Sequence, residues 1–476
     1  MKWNHVAEIN ERLSRLWELP PVKLSPGART RYMEHFNKNC QKSQQMVALA
    51  KDRIPGGVQH NLALNYPHPL AVQKVDGAYM WDVDGNCYID FLQAGGPTIL
   101  GSNYRPVQEK VIELIRECGP VTGLFHEYEY KLAELVHSYM PSVEMLRMLA
   151  SGTEADMAAI RLARAHTGKK KVIKIGGAYH GWSDELVYDI RSDGSGNSYA
   201  WGIPEECYAN TQACPVNDLD RLRDMLKRNE QAGGTACIII EPIGPESGTR
   251  PVEADYNREL RKLCDTFETL LIFDEVVTGF RMGLGGAQEM FNVRPDLTVF
   301  GKALTGGYPA AGAVGGSRDI MRHFAPGLDG DGRHVQVGGT LSANPLSCVA
   351  GYYALKEIAE QNACEKAAEA GDRLCRGIQA LIDQYGLPFV VYNQKSVVHF
   401  DAVGNLSLCL RPETLPSIME KLPERTQMFK EMGMALTAEG LITIAASRMY
   451  TSMADTPEVI DSALERFDRV LQSYAG

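Results

Sequence analysis

The 476-residue chain contains no apolar run close to the roughly 18–20 residues that a bilayer-spanning helix needs, so no membrane anchor is expected. Its first residues, "MKWNHVAEINERL", are polar and helical in pattern and lack the apolar core of a signal peptide, which points to a cytoplasmic location. Eleven cysteines are scattered with no CxxC pair, and no Cys/His cluster has zinc spacing. Reduced thiols are therefore expected rather than a disulfide framework, and no metal site is indicated. Cationic charge is in deficit: 49 Lys and Arg face 59 Asp and Glu, a net charge of −10 that recommends neither a nucleic acid nor an anionic lipid surface as partner. Internal repeats and low-complexity segments are also missing, which argues against a solenoid or a disordered linker protein.

What is present is the rhythm of a large α/β protein. The length allows more than one domain. Residues 1–50 carry helical patches, "HVAEINERLSRLWEL" and "YMEHFNKNCQKSQQMVALAKDRI", broken by "PPVKLSPG", and read as an N-terminal helical arm. "AYMWDVDGNCYIDF" reads as a hairpin turning at Asp84-Gly85-Asn86. Over 96–345 short apolar strands ("MLRML", "KVIKI", "ACIIIEP", "TLLIFDEV", "LTVFG", "AGAVGG") alternate with helical patterns, the signature of a mostly parallel sheet covered by helices. Residues 51–95 and 346–476 are assigned to a smaller α+β domain, with strands "FVVYNQ" and "SVVHFD" after two long helices.

Ligands in such sheets gather at the carboxyl ends of the strands. After "MLRML" comes Ser151-Gly152-Thr153, a helix start with capping-box spacing to Glu154 that could attract a phosphate or be a plain cap. After "KVIKI" comes Tyr179 in a glycine-rich turn, either a stacking ring or an ordinary turn tyrosine. After "CIII" comes Glu241, after "LLIF" comes Asp274, and after "LTVF" comes Lys302. A carboxylate at the end of a core strand is costly unless a cation meets it. A lysine in the same crevice is a usable amine for a Schiff base. An anion-binding helix end, an aromatic ring, an acid for a protonated ring nitrogen and an aldehyde-binding lysine together describe a pyridoxal 5'-phosphate site.

The segments "DEVVTGFR" and "VFGKALTGGYPAAGAVGG", with "IPGGV", "SGTEADMAAIRLARAHTGKKKV", "GGAYHGW", "IIIEP" and "GGTLSANPLSCVAGYYAL", resemble the class III (subgroup II) aminotransferases across most of the chain. Within that class the resemblance is nearest to the group of glutamate-1-semialdehyde aminomutases and β-phenylalanine aminotransferases. It implies fold type I, with a seven-stranded-type sheet in the large domain. It also implies an aminotransferase moving an amino group between an amino acid or amine and an oxo acid through a Lys302 Schiff base and pyridoxamine phosphate. In that match Lys302 is the Schiff-base lysine and proton carrier, and Asp274 pairs with the pyridine nitrogen. Val276 and Tyr179 face the two sides of the ring, with His180 in the same motif. Ser151, Gly152 and Thr153 cradle the phosphate, Glu241 lies near the cofactor, and Thr340 reaches the phosphate from the neighbouring subunit of a homodimer.

The substrate loops depart from the mutase pattern. "QHNLA" at 59–63 lacks its arginine, "IGPESGTR" replaces its glycine-rich loop, and "EGLITIAASRMYTS" replaces its C-terminal element. Arg448 and Arg250 are candidate clamps for a substrate carboxylate, since arginine binds carboxylates in a two-pronged fashion. Glu246 is a candidate for masking an arginine or receiving an amino group, while His60 and His126 are polar candidates without a role. Aminomutase, racemase or epimerase chemistry on the same fold is the alternative, and a non-catalytic homologue the remoter one.

Overall fold

The computed structural model describes residues 5–119, 121–187, 200–325, 334–407 and 415–475. They fall into two compact units: one is built on Arg105–Cys364, the other on Ala7–Tyr104, Glu365–Leu408 and Leu415–Gly476.

In the first unit the apolar runs form a seven-stranded sheet. Its order is Met145–Leu149, Gly312–Gly316, Leu297–Phe300, Leu270–Asp274, Thr235–Ile240, Lys171–Ile175, Thr211–Cys214. Only Gly312–Gly316 runs against its two neighbours; the others are parallel. The inner strands are buried on both faces, which is why they read as continuous apolar runs. Alternate side chains serve two cores. Ile239 and Ile272 pack with the helix Gly152–Thr167, whereas Ile238, Ile240, Leu271 and Phe273 pack with the helices Leu219–Glu230 and Tyr256–Thr266. The edge strand Thr211–Cys214 was not expected: "TQAC" has no apolar run, and an edge strand needs only one covered face.

Three boundaries differ from those drawn on the sequence, the first being that residues 96–104 belong to the second unit, so the large unit begins at Arg105 and not at 96. The helix Pro345–Glu360, assigned above to the small domain, packs on the helices Arg105–Glu117 and Glu127–Tyr139 of the first unit. Nine of its residues are buried, so it needs neighbours on several sides. Residues 7–50 do not form an arm of their own. The 3.6-residue spacing of Ile9, Leu13 and Leu16, with Tyr32 and Phe36, feeds one core shared with the helices Ala363–Tyr385 and Pro457–Gln472.

The second unit holds a four-stranded sheet, Val72–Asp76, Tyr79–Asp82, Cys87–Asp90 and Leu441–Ile442, and a three-stranded one, Val390–Gln394, Val397–Asp401 and Arg448–Tyr450. The expected hairpin turns where Asp82 Oδ1 accepts from the amides of Asp84 and Asn86, at 3.0 and 2.8 Å, with Gly85 in the left-handed region. Among the described residues no helix is long and apolar enough to cross a membrane.

Arg425 ties the N-terminal segment to this unit. Its buried guanidinium donates to the carbonyls of Leu16, Trp17, Leu19 and Val403 and lies 4.5 Å from the centre of the Trp17 ring. Removing it leaves four carbonyls short of a donor, each worth about 1 kcal/mol or more when buried. Arg425→Ala is therefore expected to destabilise this unit by about 3 kcal/mol in denaturant titration, with Arg425→Lys recovering only part of the loss; an unchanged midpoint for Arg425→Ala would refute the clamp.

Candidate active site

The carboxyl ends of the sheet strands converge on the N-terminus of the helix Gly152–Thr167. Ser151 caps it, its Oγ accepting from the Glu154 amide at 3.2 Å. The Glu154 carboxylate reaches back one residue further than a capping box requires, to the Ala150 amide at 2.9 Å. The amides of Gly152 and Thr153 have no carbonyl within the helix to donate to, which makes this end receptive to an anion. Glycines let three segments close on it. A Cβ at Gly181 would stand 2.2 Å from Thr153 Oγ1, and Gly181 also has φ +81°. Cβ atoms at Gly152 and Gly301 would stand 3.0 and 2.9 Å from the Val276 methyls. Val276 is thus held between the helix start and the residue that precedes Lys302.

Asp274 ends its strand directly beside Val299, and Lys302 follows three residues later. The Lys302 backbone takes a left-handed φ of 40°, a strained state for a lysine, at the first residue of the turn Lys302–Thr305. Asp274 is buried. Its Oδ2 lies 2.7 Å from His180 Nδ1, and its Oδ1 accepts from the Val276 amide at 3.0 Å. His180 has no exposed surface, and its Nε2 has no hydrogen-bond partner among the described residues. A third buried group, Asp156, joins them: one ligand-type atom from each of Asp156, His180 and Asp274 lies within 4.8 Å of the others. Burial, then the charges of Asp274 and Glu241, push the Asp156 carboxyl well above the usual carboxylate range, against the opposing pull of Lys302 and Lys174. These residues come from three separate segments, so no spacing in the sequence announces them.

Glu241 has a different task. Its carboxylate accepts from the amides of Tyr179 (3.0 Å), Glu246 (2.6 Å) and Ser247 and from the Ser247 hydroxyl (2.7 Å). It thereby pins the loop in which Glu246 and Ser247 both adopt left-handed φ values of 48° and 49°. Burial and the charge of Asp274 still raise its carboxyl. Lys174, fully buried in its strand, clamps the neighbouring loop by donating to the carbonyls of Ala178 and Leu186 at 3.0 and 2.9 Å. Glu275, the second acid of "DEVV", caps another helix: it accepts from the amides of Ala287 and Gln288 and from the Thr278 hydroxyl.

The sequence-derived residues thus divide. Ser151, Gly152, Thr153, Tyr179, His180, Glu241, Asp274, Val276 and Lys302 gather at the strand ends of the first unit. Tyr179 is 49% exposed, and burial followed by the nearby Glu246 charge raises its phenol. Glu246 and Arg250 lie on the pinned loop, where Arg250 is half-buried. Thr340 stands exposed on a turn after Gly339, which has φ +121°. His60 and Arg448 belong to the second unit. His60 Nδ1 accepts from the Leu62 amide at 3.1 Å and caps a short turn. His126 caps the helix Glu127–Tyr139 in a reciprocal capping box. Sequence reasoning missed Asp156, Lys174 and Ser247. Two of these carried a visible signal, a lone charge inside the apolar runs "ADMAAI" and "VIKI".

The model of the class-III aminotransferase family matches residues 62–469. Among solved structures, an omega-transaminase from Sphaerobacter thermophilus is 28% identical, with a TM-score of 0.82 over 93% of this chain and 99% of that one. The β-phenylalanine aminotransferase from Variovorax paradoxus is 25% identical, with a TM-score of 0.80 over 94% and 97%. A glutamate-1-semialdehyde aminomutase from Pseudomonas aeruginosa shares the fold at 21% identity, with a TM-score of 0.80 over 98% and 99%. With its fold type I sheet and a family match that takes in both units, the chain belongs to the class III aminotransferases and is a pyridoxal 5'-phosphate-dependent transaminase.

Proposed function

We propose that Lys302 and Asp274 carry out amino transfer between an amino acid or amine and an oxo acid in the crevice at the strand ends. The observation that carries this reading is the adjacency of a strained lysine turn, the buried Asp274–His180 pair and an uncommitted helix N-terminus. The residues fit the cofactor. The donor set offers the Lys302 amine, the Asp274 carboxylate and, at the helix start, the amides of Gly152 and Thr153, which have no acceptor within the helix.

Pyridoxal 5'-phosphate supplies a carbonyl that takes up the amino group and a ring that withdraws electrons from the carbon losing its proton. The amides of Gly152 and Thr153, with the Ser151 and Thr153 hydroxyls, hold the phosphate. Asp274, oriented by His180, would accept the N–H of a protonated ring nitrogen. Val276 and Tyr179 would flank the ring. Lys302 Nζ would be the amine that holds the cofactor and, once released, the base that would move a proton. Glu241 fixes the loop beside Tyr179, so that Glu246 meets the substrate from a constant backbone. Arg250, on the pinned loop of the same unit, would supply the guanidinium for a substrate carboxylate. Transfer rather than isomerisation is favoured by the departures of the loops at 59–63 and 243–250 from the mutase pattern.

We further propose a homodimer in a reducing cytoplasm, with Thr340 completing the partner's phosphate site. Thr340 and Leu341 stand exposed on one turn, and Leu124 and Phe125 are 77% and 78% exposed in the same unit, apolar side chains that a second copy would cover. No disulfide joins the described cysteines.

Lys302→Ala is expected to abolish the visible absorbance of bound cofactor and to lower transamination by roughly three orders of magnitude or more, with circular dichroism unchanged; wild-type turnover in this variant would sink the assignment. Asp274→Asn should retain cofactor but lose roughly two to four orders of magnitude in kcat, because the ring nitrogen is no longer held protonated; a normal kcat would make Asp274 structural. Gly181→Ala, which drives a methyl into Thr153, should weaken cofactor retention roughly tenfold or more, and unaltered retention would show that the loop yields. A panel of amino donors with pyruvate and 2-oxoglutarate separates transfer from isomerisation, since only transfer consumes the added oxo acid. Sedimentation and cofactor absorbance, followed together on dilution, test the shared site: a monomer with full cofactor occupancy would refute it.

A further inference from the structure

The buried acid Asp156 lies outside every role assigned so far. It sits in the second turn of the helix whose first turn is proposed to receive the phosphate, 1% exposed, with Oδ1 lacking a hydrogen-bond partner among the described residues. His180 Nε2, also fully buried, likewise lacks one. One atom each of Asp156, His180 and Asp274 fall within 4.8 Å of one another, while His180 Nδ1 and Asp274 Oδ2 are already hydrogen-bonded at 2.7 Å. Two carboxylates this close, away from water, cannot both stay ionised without a cation to share. The charged groups that act on Asp156 are Asp274, Glu241, Lys302 and Lys174. Lys174 is committed to the carbonyls of Ala178 and Leu186, and Lys302 is the amine that the cofactor engages. A proton is the remaining small cation.

We propose that Asp156 is a positioning residue that stores one proton in the trio with His180 and Asp274, so that at neutral pH the trio presents a single negative charge to the ring nitrogen of the cofactor. The inference rests on the cofactor reading above. The proton moves between groups already present: Asp156 releases it as pH rises, and the trio passes from one negative charge to two. The second charge holds the remaining protons on the cofactor and on the nitrogen it shares with Lys302 more tightly. The charge needed to keep the ring an electron sink is thus maintained further into alkaline solution. As a neutral acid Asp156 adds no repulsion at Asp274; as an anion it compensates for falling proton activity.

The test is a pH titration of the visible absorbance of the wild-type holoenzyme and of Asp156→Asn, whose amide copies the neutral acid but cannot ionise. At low pH the two should show the same spectrum and a cofactor Kd within about twofold of each other. On the alkaline side the spectral transition of Asp156→Asn should come about one pH unit earlier. A merely structural Asp156 would alter thermal stability without moving that transition. An unmoved transition overturns the proposal, and so does a loss of cofactor affinity beyond about tenfold at low pH, which would mean that Asp156 acts as an anion throughout. If the amide variant fails to fold, Asp156→Thr removes the ionisable group at similar size and is read in the same way. If neither holds cofactor, infrared spectroscopy of the wild-type holoenzyme decides. A neutral-carboxyl band that shifts when an amino donor converts the cofactor is expected, and absence of such a band overturns the proposal. A wild-type enzyme without any visible cofactor band would instead overturn the cofactor reading itself.

Discussion

Burying carboxylates at the carboxyl ends of parallel strands is the constraint around which this site is built. Asp156, Glu241, Asp274 and Glu275 all lie below about a tenth exposure in one unit, and each needs donors or a proton. The solutions differ and so do the consequences. Glu275 is satisfied by a helix N-terminus and a hydroxyl, which leaves it no free capacity and makes it a brace. Glu241 is satisfied by three amides and a hydroxyl from two loops, so its charge becomes loop geometry. Asp274 has one oxygen on a backbone amide and the other on an imidazole, the arrangement that best preserves its orientation while leaving it able to meet a further cation. The four acids are chemically alike; the number and kind of their donors separate structural from chemical duty.

Close backbone approach is the second requirement, and glycine meets it. The turn bearing Gly181 can lie against Thr153 only because no Cβ intervenes, and Val276 fits between Gly152 and Gly301 for the same reason. Strand pairing then carries the alignment across the sheet: Asp274 is opposite Val299, so the strand ends that carry the acid and the lysine turn stay in register. The left-handed backbone at Lys302 is tolerated because the following residues, Ala303 to Thr305, are buried and hold the turn.

Much of this was legible beforehand. The apolar strands ending in Asp274 and before Lys302 are short, continuous apolar runs that alternate with helical patterns, so both their existence and their parallel sense could be read from pattern, and the site followed from the rule that ligands gather at strand ends. What could not be read were relations between distant segments. The His180–Asp274 bond spans 94 positions, and nothing local in "AYHGW" indicates its partner. Asp156 and Lys174 were visible only as solitary charges within apolar stretches, a signal equally compatible with a surface position. The strand Thr211–Cys214 escaped because edge strands are specified by a neighbour's hydrogen bonds more than by their own composition. The domain boundaries shifted because burial decides allegiance: "NPLSCVAGYYALKEIAEQ" is apolar on too many sides to stand at a unit's surface.

The way Glu241 holds its loop separates two things that proteins often couple. It grips the amides of Glu246 and Ser247 from beneath, and its one side-chain partner in that loop is the Ser247 hydroxyl. These bonds to Glu241 run through the Glu246 main chain, not its side chain. Side chains that tolerate the left-handed backbone at 246 can therefore replace it while the Glu241 bonds to the main chain stay in place, so new chemistry can be tried at the rim within that limit. Such a position is where a lineage sharing one cofactor apparatus can diversify in what it accepts, without rebuilding the apparatus each time.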